Sequence, residues 1–316
     1  MRCLLSTSVL RRHSRRCFSS NPAIHPTAVI HPTAVIHPTA ALGPFCVVGP
    51  HVTINQFCDL RSHVVVEGHT TIGDHTSIFS HAVIGTESQD KKDRGLPTTT
   101  SIGKHCTIRE FVSINRGTVG NTTIGSNVHL LANVHVGHDC TVHDGVVVSN
   151  GTCLAGHVSV GRGAVLGGLC GIKQRVRIGQ LAMVGGASAV DFDVIPYGLA
   201  TGNRAVLRGI NLVGLKRNKS VPRKDISFLL ASQRYLYGDT DSGSSFAPKL
   251  QLPVHVLFND RKKELFTMVS QGGGANKTNS TTTTTRLEHS QLCFDMLEFL
   301  DNSTTPHGAT VADEEK

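Results

Sequence analysis

Histidine and carboxylate are the residues through which this chain could do chemistry. It holds 18 His, and one that stands directly before an acid does so in Val136-Gly-His-Asp, giving His138 and Asp139. A neutral imidazole, with an ordinary pKa of about 6.5, can accept a proton near pH 7. An adjoining carboxylate can fix its tautomer and stabilise the imidazolium that forms. His138 and His143, four residues apart in the intervening chain, could instead offer two zinc ligands. The nine Cys contain no CxxC pair, so neither a zinc ribbon nor a dithiol redox centre is indicated. The histidines of the repeated His-Pro-Thr triplets (His25, His31, His37) read as turn residues.

The elements that must position these groups follow from one period. From Ile24 an aliphatic residue recurs every sixth position, through Ile30, Ile36, Leu42, Val48, Ile54, Leu60, Val66, Ile72, Ile78 and Ile84. The series resumes at Ile102, Ile108 and Ile114, shifts phase, and runs from Ile124 to Val190. Six is neither the two-residue period of a strand nor the 3.6-residue period of a helix. It is the period of a solenoid in which each hexad forms one side of a triangular coil. The aliphatic residue then points inward, and coils stack at roughly 4.8 Å. The expected fold is an all-β parallel β-helix. Gly43, Gly49, Gly73 and Gly85, each following an aliphatic residue, are expected to ease the corners, where a positive φ is often needed. Cys46, Cys58, Cys106, Cys140 and Cys170 share one phase with Ala, Val and Thr, and so read as small buried packing residues. Two stretches break the period, 86–100 and 116–123, and are expected to leave the prism as loops.

Composition agrees with short stacked strands: Trp is absent, aromatics are 5% and Gly numbers 32. The net charge of +8 and pI near 9.1 suit anionic partners such as a nucleotide, an acidic carrier protein or nucleic acid. Part of that charge sits in residues 1–20, which carry five Arg, several Ser and no acid; the first acid in the chain is Asp59. That pattern is an organelle transit peptide, for the mitochondrion first and the plastid second. No apolar run approaches the roughly 20 residues that cross a bilayer. The division expected is a transit segment 1–20, a β-helix 21–198, and a C-terminal helical domain 199–301 holding a low-complexity linker 271–286. A disordered tail 302–316 follows. Helices are expected over 225–237, 254–269 and 287–300.

A set of ordered motifs carries a closer resemblance. HPTAVIHPTA, GPFCVVGPHV, SHVVVEGHTTIG, a Q-D-x-K loop, I-x-RGT, HVGHDCTV, LAGHVSVG and GN…GINLVGLKR together resemble the UDP-N-acetylglucosamine 3-O-acyltransferases of lipid A biosynthesis, over roughly residues 24–218. The resemblance implies a left-handed β-helix, a homotrimer and no metal or other cofactor. It also implies transfer of an (R)-3-hydroxyacyl chain from acyl carrier protein to the sugar 3-hydroxyl, the first step of that pathway, with no nucleic acid as partner. It assigns His138 as general base, Asp139 as its partner and the Gly156 N–H as oxyanion donor. Gln89, Asp90 and Lys92 fall at the sugar and carrier end of the site, and His135 and His157 line it. Gln174 lies by the acyl channel, Gly186 gauges acyl length, and Asn211 and Arg217 serve the nucleotide.

The chain departs from the family pattern where Lys173 replaces a His, Val213 a Glu and Asn218 an Arg, which touches the channel wall and the nucleotide grip. Two other readings compete. One is a related sugar N-acyltransferase. The other is a γ-carbonic anhydrase-like mitochondrial subunit, for which His138 and His143 would bind zinc.

Overall fold

A computed structural model describes residues 24–218 together with Val221, Arg223, Ile226, Ser227, Leu229, Leu230 and Glu298. The expected transit segment, the helix over 254–269, the linker and the tail lie outside the described residues, as does most of 225–237 and of 287–300.

The chain winds as a β-helix of three sheets, of nine, eight and ten strands, parallel except for the last strand of the ten, with successive strands passing from sheet to sheet and, up to the final hairpin, each pairing with the third strand on. Most strands are two residues long, because a hexad spends its other four residues on the corner. One coil is 18 residues, as the register Val29↔Val47 and Ile30↔Val48 shows. The backbone N–H and carbonyl groups point along the axis, so each coil satisfies the next: His31 N–H donates to Val48 O (2.8 Å) and Gly49 N–H to Val66 O (2.8 Å). The interior is the aliphatic column the period requires, with Ile54, Ile84, Ile114, Val136 and Leu154 all at 0% exposure.

The cysteines behave as packing residues. Cys46, Cys58, Cys106, Cys140 and Cys170 are buried and free. Burial pushes the Cys58 thiol up to about 11 and that of Cys140 up to about 12, so both stay protonated and their thiols donate to Gly73 O and Ala155 O.

The corners bear out one of the four expected glycines and differ at the others. Gly85 holds positive φ (77°), but elsewhere positive φ mostly falls three residues after the aliphatic position, where bulky residues can take it: Phe45 (59°), His63 (59°), His81 (65°) and Phe111 (60°). Each costs about 1 kcal/mol or more relative to Gly. Stacking offsets part of it, since these four rings form one ladder with centroids 4.9 to 5.0 Å apart. Gly43 and Gly73 do different work: a Cβ on Gly73 would lie 2.6 Å from the Gly103 backbone of the next coil. Those glycines permit coil contact.

Both expected loops are present. The register steps by 30 residues from Val83 to Ser113, twelve more than one coil, and by 22 from Ile102 to Ile124, four more. The extra residues lie within the loop 87–98 and the segment 116–121. The position expected as a domain boundary, 198/199, lies inside the strand Gly198–Thr201, which pairs in antiparallel fashion with Val206–Ile210 and so extends the ten-stranded sheet. Helix begins only at Leu212–Arg217. A parallel stack leaves its last coil unpaired, and this hairpin covers part of that edge. Further on, Arg223, Ile226, Ser227, Leu229 and Leu230 are helical, with Ile226 and Leu229 buried.

Candidate active site

The strand His135–Val136 enters a corner at Gly137-His138-Asp139, with Asp139 in the left-handed region at φ 59°. Asp tolerates that conformation better than a branched residue would. In this position its carboxylate accepts from the N–H groups of Thr118 (2.9 Å), Val119 (3.2 Å) and Gly120 (2.6 Å), and contacts His138 Nδ1 at 2.7 Å. Burial would raise the Asp139 carboxyl, but the bonds from His138, Thr118, Gly120 and Val119 outweigh it and hold the group below its ordinary 3.8. An ionised carboxylate only accepts, so Nδ1 carries the proton and Nε2 presents its lone pair. His138 is 8% exposed.

The cleft that Nε2 faces has a volume of about 790 Å³. Asp90 Oδ2 lies 3.9 Å from Nε2 across it. The next coil supplies Gly156 and His157. His157 meets His138 edge to face at 5.0 Å, and its Nε2 is 3.7 Å from Asp139 Oδ2. Burial lowers the pKa of His157; Arg175 and His138 add to this while Asp139 opposes it. His135, whose Nδ1 meets Ser113 Oγ at 2.8 Å, is held below its ordinary 6.5 by burial and then by His138. Both are therefore biased toward neutral polar rings beside the base. Gly156 has no side chain for a steric reason: a Cβ there would overlap the His138 ring. Among the described residues its N–H makes no hydrogen bond, which leaves it free to face a reacting group.

Of the residues singled out in the sequence, Gln89, Asp90, Lys92, His135, His138, Gly156 and Gln174 line the cleft, with Asp139 and His157 packed against His138. Gly186, Asn211 and Arg217 do not line it. Gly186 sits next to a corner, with Gly168 O 3.4 Å from where its Cβ would be. Asn211 caps the helix Leu212–Arg217, accepting from Gly214 N–H (3.0 Å) and donating to Leu181 O (3.0 Å), and Arg217 is exposed in the last turn. Among the described residues, the cluster with metal-ligand spacing is His138, Asp139 and His157. His143 is not in it, because it stands on the following side of the coil beside the strand Thr141–Val142. Asn115, Gly137, Lys173 and Asp191 also line the cleft. The period held the signal for them, since Ile114, Val136, Leu154, Ile172 and Val190 are in register and the residue after each falls in one column.

Comparison with known proteins bears on this arrangement. Residues 24–121 match the model of the GMPPB C-terminal domain, 121–156 that of the bacterial transferase hexapeptide (six repeats), and 193–308 that of the UDP N-acetylglucosamine O-acyltransferase, domain 2. The structure of LpxA from Acinetobacter baumannii superimposes with a TM-score of 0.66 at 40% identity, covering 71% of this chain and 86% of that one. The chain belongs to the UDP-N-acetylglucosamine O-acyltransferase family. Its β-helix is therefore the left-handed prism of that family. The Arabidopsis UDP-N-acetylglucosamine acyltransferase matches with a TM-score of 0.71 at 30% identity, over 90% of this chain and 98% of that one. A curated acyl-[acyl-carrier-protein]–UDP-N-acetylglucosamine O-acyltransferase of Sinorhizobium fredii is 48% identical over 139 residues, 43% of this chain and 52% of its own length. The chain thus spans about half the length of that family member in the matched region. Among the described residues, no helix is long and apolar enough to cross a membrane.

Proposed function

We propose that the protein transfers an (R)-3-hydroxyacyl chain from acyl carrier protein to the 3-hydroxyl of UDP-N-acetylglucosamine, the reaction that opens lipid A biosynthesis. The observation that carries this is His138, held at Nδ1 by an ionised Asp139 with Nε2 turned into the cleft. Nε2 takes the proton of the sugar hydroxyl as its oxygen attacks the thioester carbonyl. The carbonyl oxygen becomes an oxyanion, for which the Gly156 N–H is the donor. As the carbonyl reforms, the C–S bond breaks and the departing thiolate takes the proton back from the imidazolium, so the base is regenerated. Asp139 stabilises the charged imidazolium between the two transfers. Gln89, Asp90, Lys92 and Gln174 are the polar groups placed to hold substrate, and the net charge of +8 suits a nucleotide and an acidic carrier protein.

The same reading includes a homotrimer and a mitochondrial site of action, the latter supported by the arginine-rich, acid-free residues 1–20. The deciding experiment incubates purified protein with UDP-N-acetylglucosamine and a series of hydroxyacyl carrier proteins and reads products by mass. Formation of the 3-O-acyl product is expected, and His138→Ala should lower turnover by roughly 10²-fold or more, with Asp139→Asn losing less. No acylated sugar nucleotide from any donor, or a fully active His138→Ala protein, would overturn the assignment.

A further inference from the structure

The motif Arg116-Gly-Thr gives the site a backbone N–H, that of Thr118 to Asp139, while its arginine side chain has no part in the chemistry just described and is nonetheless heavily engaged. The Arg116 guanidinium donates to both oxygens of Asp93 (2.6 and 3.4 Å), to Thr98 Oγ1 (3.2 Å), and to the carbonyls of Gly117 (3.0 Å) and Leu96 (3.4 Å). The pair is largely buried, with side-chain exposures of 15% and 13%. Such a pair adds little net stability over an apolar one of similar volume.

Two arms leave this arginine and reach opposite nitrogens of His138. Along the first, Asp93 closes a turn in which its own N–H donates to Asp90 O (2.9 Å) and Lys92 N–H donates to Asp90 Oδ1 (2.9 Å). The other oxygen, Asp90 Oδ2, is the one 3.9 Å from His138 Nε2. Along the second, the chain running on from Arg116 delivers the three N–H groups of 118–120 to Asp139, which holds Nδ1. The arms are also tied to each other, since Ser88 Oγ meets Thr118 Oγ1 at 2.6 Å and Asn115 Nδ2 donates to Glu87 O at 2.8 Å.

We propose that Arg116, acting through Asp93, is a positioning residue that sets both carboxylates flanking His138. The proposal rests on the acyl-transfer reading for its kinetic consequence, though not for its structural one. Because the pair lies in inserted segments rather than in the aliphatic column, breaking it should leave the prism folded. Displacing a catalytic constellation by about 1 Å can cost on the order of 10² in rate.

The test uses the full chain with Arg116→Met, Asp93→Asn, the double variant and Arg116→Lys. Each is measured for kcat at saturating UDP-N-acetylglucosamine and acyl carrier protein thioester, and for melting temperature. Protein carrying ¹⁵N-histidine is examined in parallel for the low-field Nδ1–H resonance of the His138–Asp139 bond, assigned by its loss in His138→Gln. We expect kcat to fall by about 10- to 100-fold in each single variant, with the double no worse than the poorer single, because a contact shared by two residues is lost once. The Nδ1–H resonance should broaden or move in Arg116→Met. Arg116→Lys, which keeps the charge but not the fork, should recover kcat to within about tenfold of wild type. If Arg116→Met merely melts earlier, with kcat per folded chain and the resonance unchanged, positioning is overturned. If wild type acylates no sugar nucleotide while the resonance still responds to Arg116→Met, the acyl-transfer reading fails and the positioning role stands.

Discussion

A single methyl group separates Gly156 from a blocked site. The Cβ of an alanine there would occupy the space of the His138 ring, and the ring cannot move without giving up its 2.7 Å contact to Asp139. Gly156→Ala is therefore expected to lower kcat by roughly 10²-fold with little change in melting temperature, measured by steady-state assay and thermal unfolding. A fully active variant would show that the ring has another place to go. The two neighbouring histidines make a second prediction. Burial holds His135 and His157 below their ordinary 6.5 in the folded chain, so the unfolded chain binds their protons more readily. Their contribution to stability is complete above about pH 6.5 and is lost as pH falls through the lower folded values. Melting temperature should thus decline from pH 7 to pH 5, and His157→Gln should flatten the slope; an unchanged slope in that variant would remove the residue from the account. Asp139, whose carboxyl is depressed below 3.8, loses its contribution only at more acid pH.

At the level of the coil, much was legible beforehand because a six-residue phase constrains every side chain at once. The aliphatic column, the buried cysteines and both interruptions could be read from spacing, since each is a statement about which residues face inward. The corners could be read only at Gly85, which holds positive φ at 77°. Which of the outward residues takes positive φ depends on stacking between coils 18 residues apart, and a ring ladder such as Phe45–His63–His81–Phe111 offsets a strain that local preference assigns to glycine. The Arg116–Asp93 pair was hidden for a related reason: its partners lie 23 residues apart in two segments that break the period. Gly186 belongs to this scale as well. It does not hold positive φ, which falls to Ala187 at 55°, and a Cβ on it would meet Gly168 O at an ordinary 3.4 Å. The backbone thus gives no reason for glycine. If the position gauges acyl length, as the family resemblance implies, Gly186→Met should fold normally and shift preference toward shorter chains, because each buried methylene is worth about 0.8 kcal/mol. The check is a competition between long and short hydroxyacyl donors, and an unchanged product ratio would reject the gauge.

The nine-stranded sheet of the prism carries an outward column that begins apolar. On the nine-stranded sheet the outward residues of successive coils are Val29, Val47, Val65 and Val83, followed by Ser113, His135, Cys153, Gly171 and Ala189. The first part of the column is apolar, with Val29 64% and Val47 38% exposed, and the second part runs along the cleft. Exposed valines in register along a flat sheet are a surface for another copy. A copy seated on them would continue over the cleft and exclude the water that competes with a sugar hydroxyl for the thioester. The homotrimer is therefore predicted to be the active species, with Val29→Lys together with Val47→Lys loosening it. In these variants activity per chain should fall as the protein is diluted, and should return at high concentration because no residue of the cleft has been touched. Sedimentation velocity and turnover measured over the same dilution series check this. A wild-type monomer that stays active when diluted would overturn the prediction, and so would lysine variants that dissociate without losing turnover.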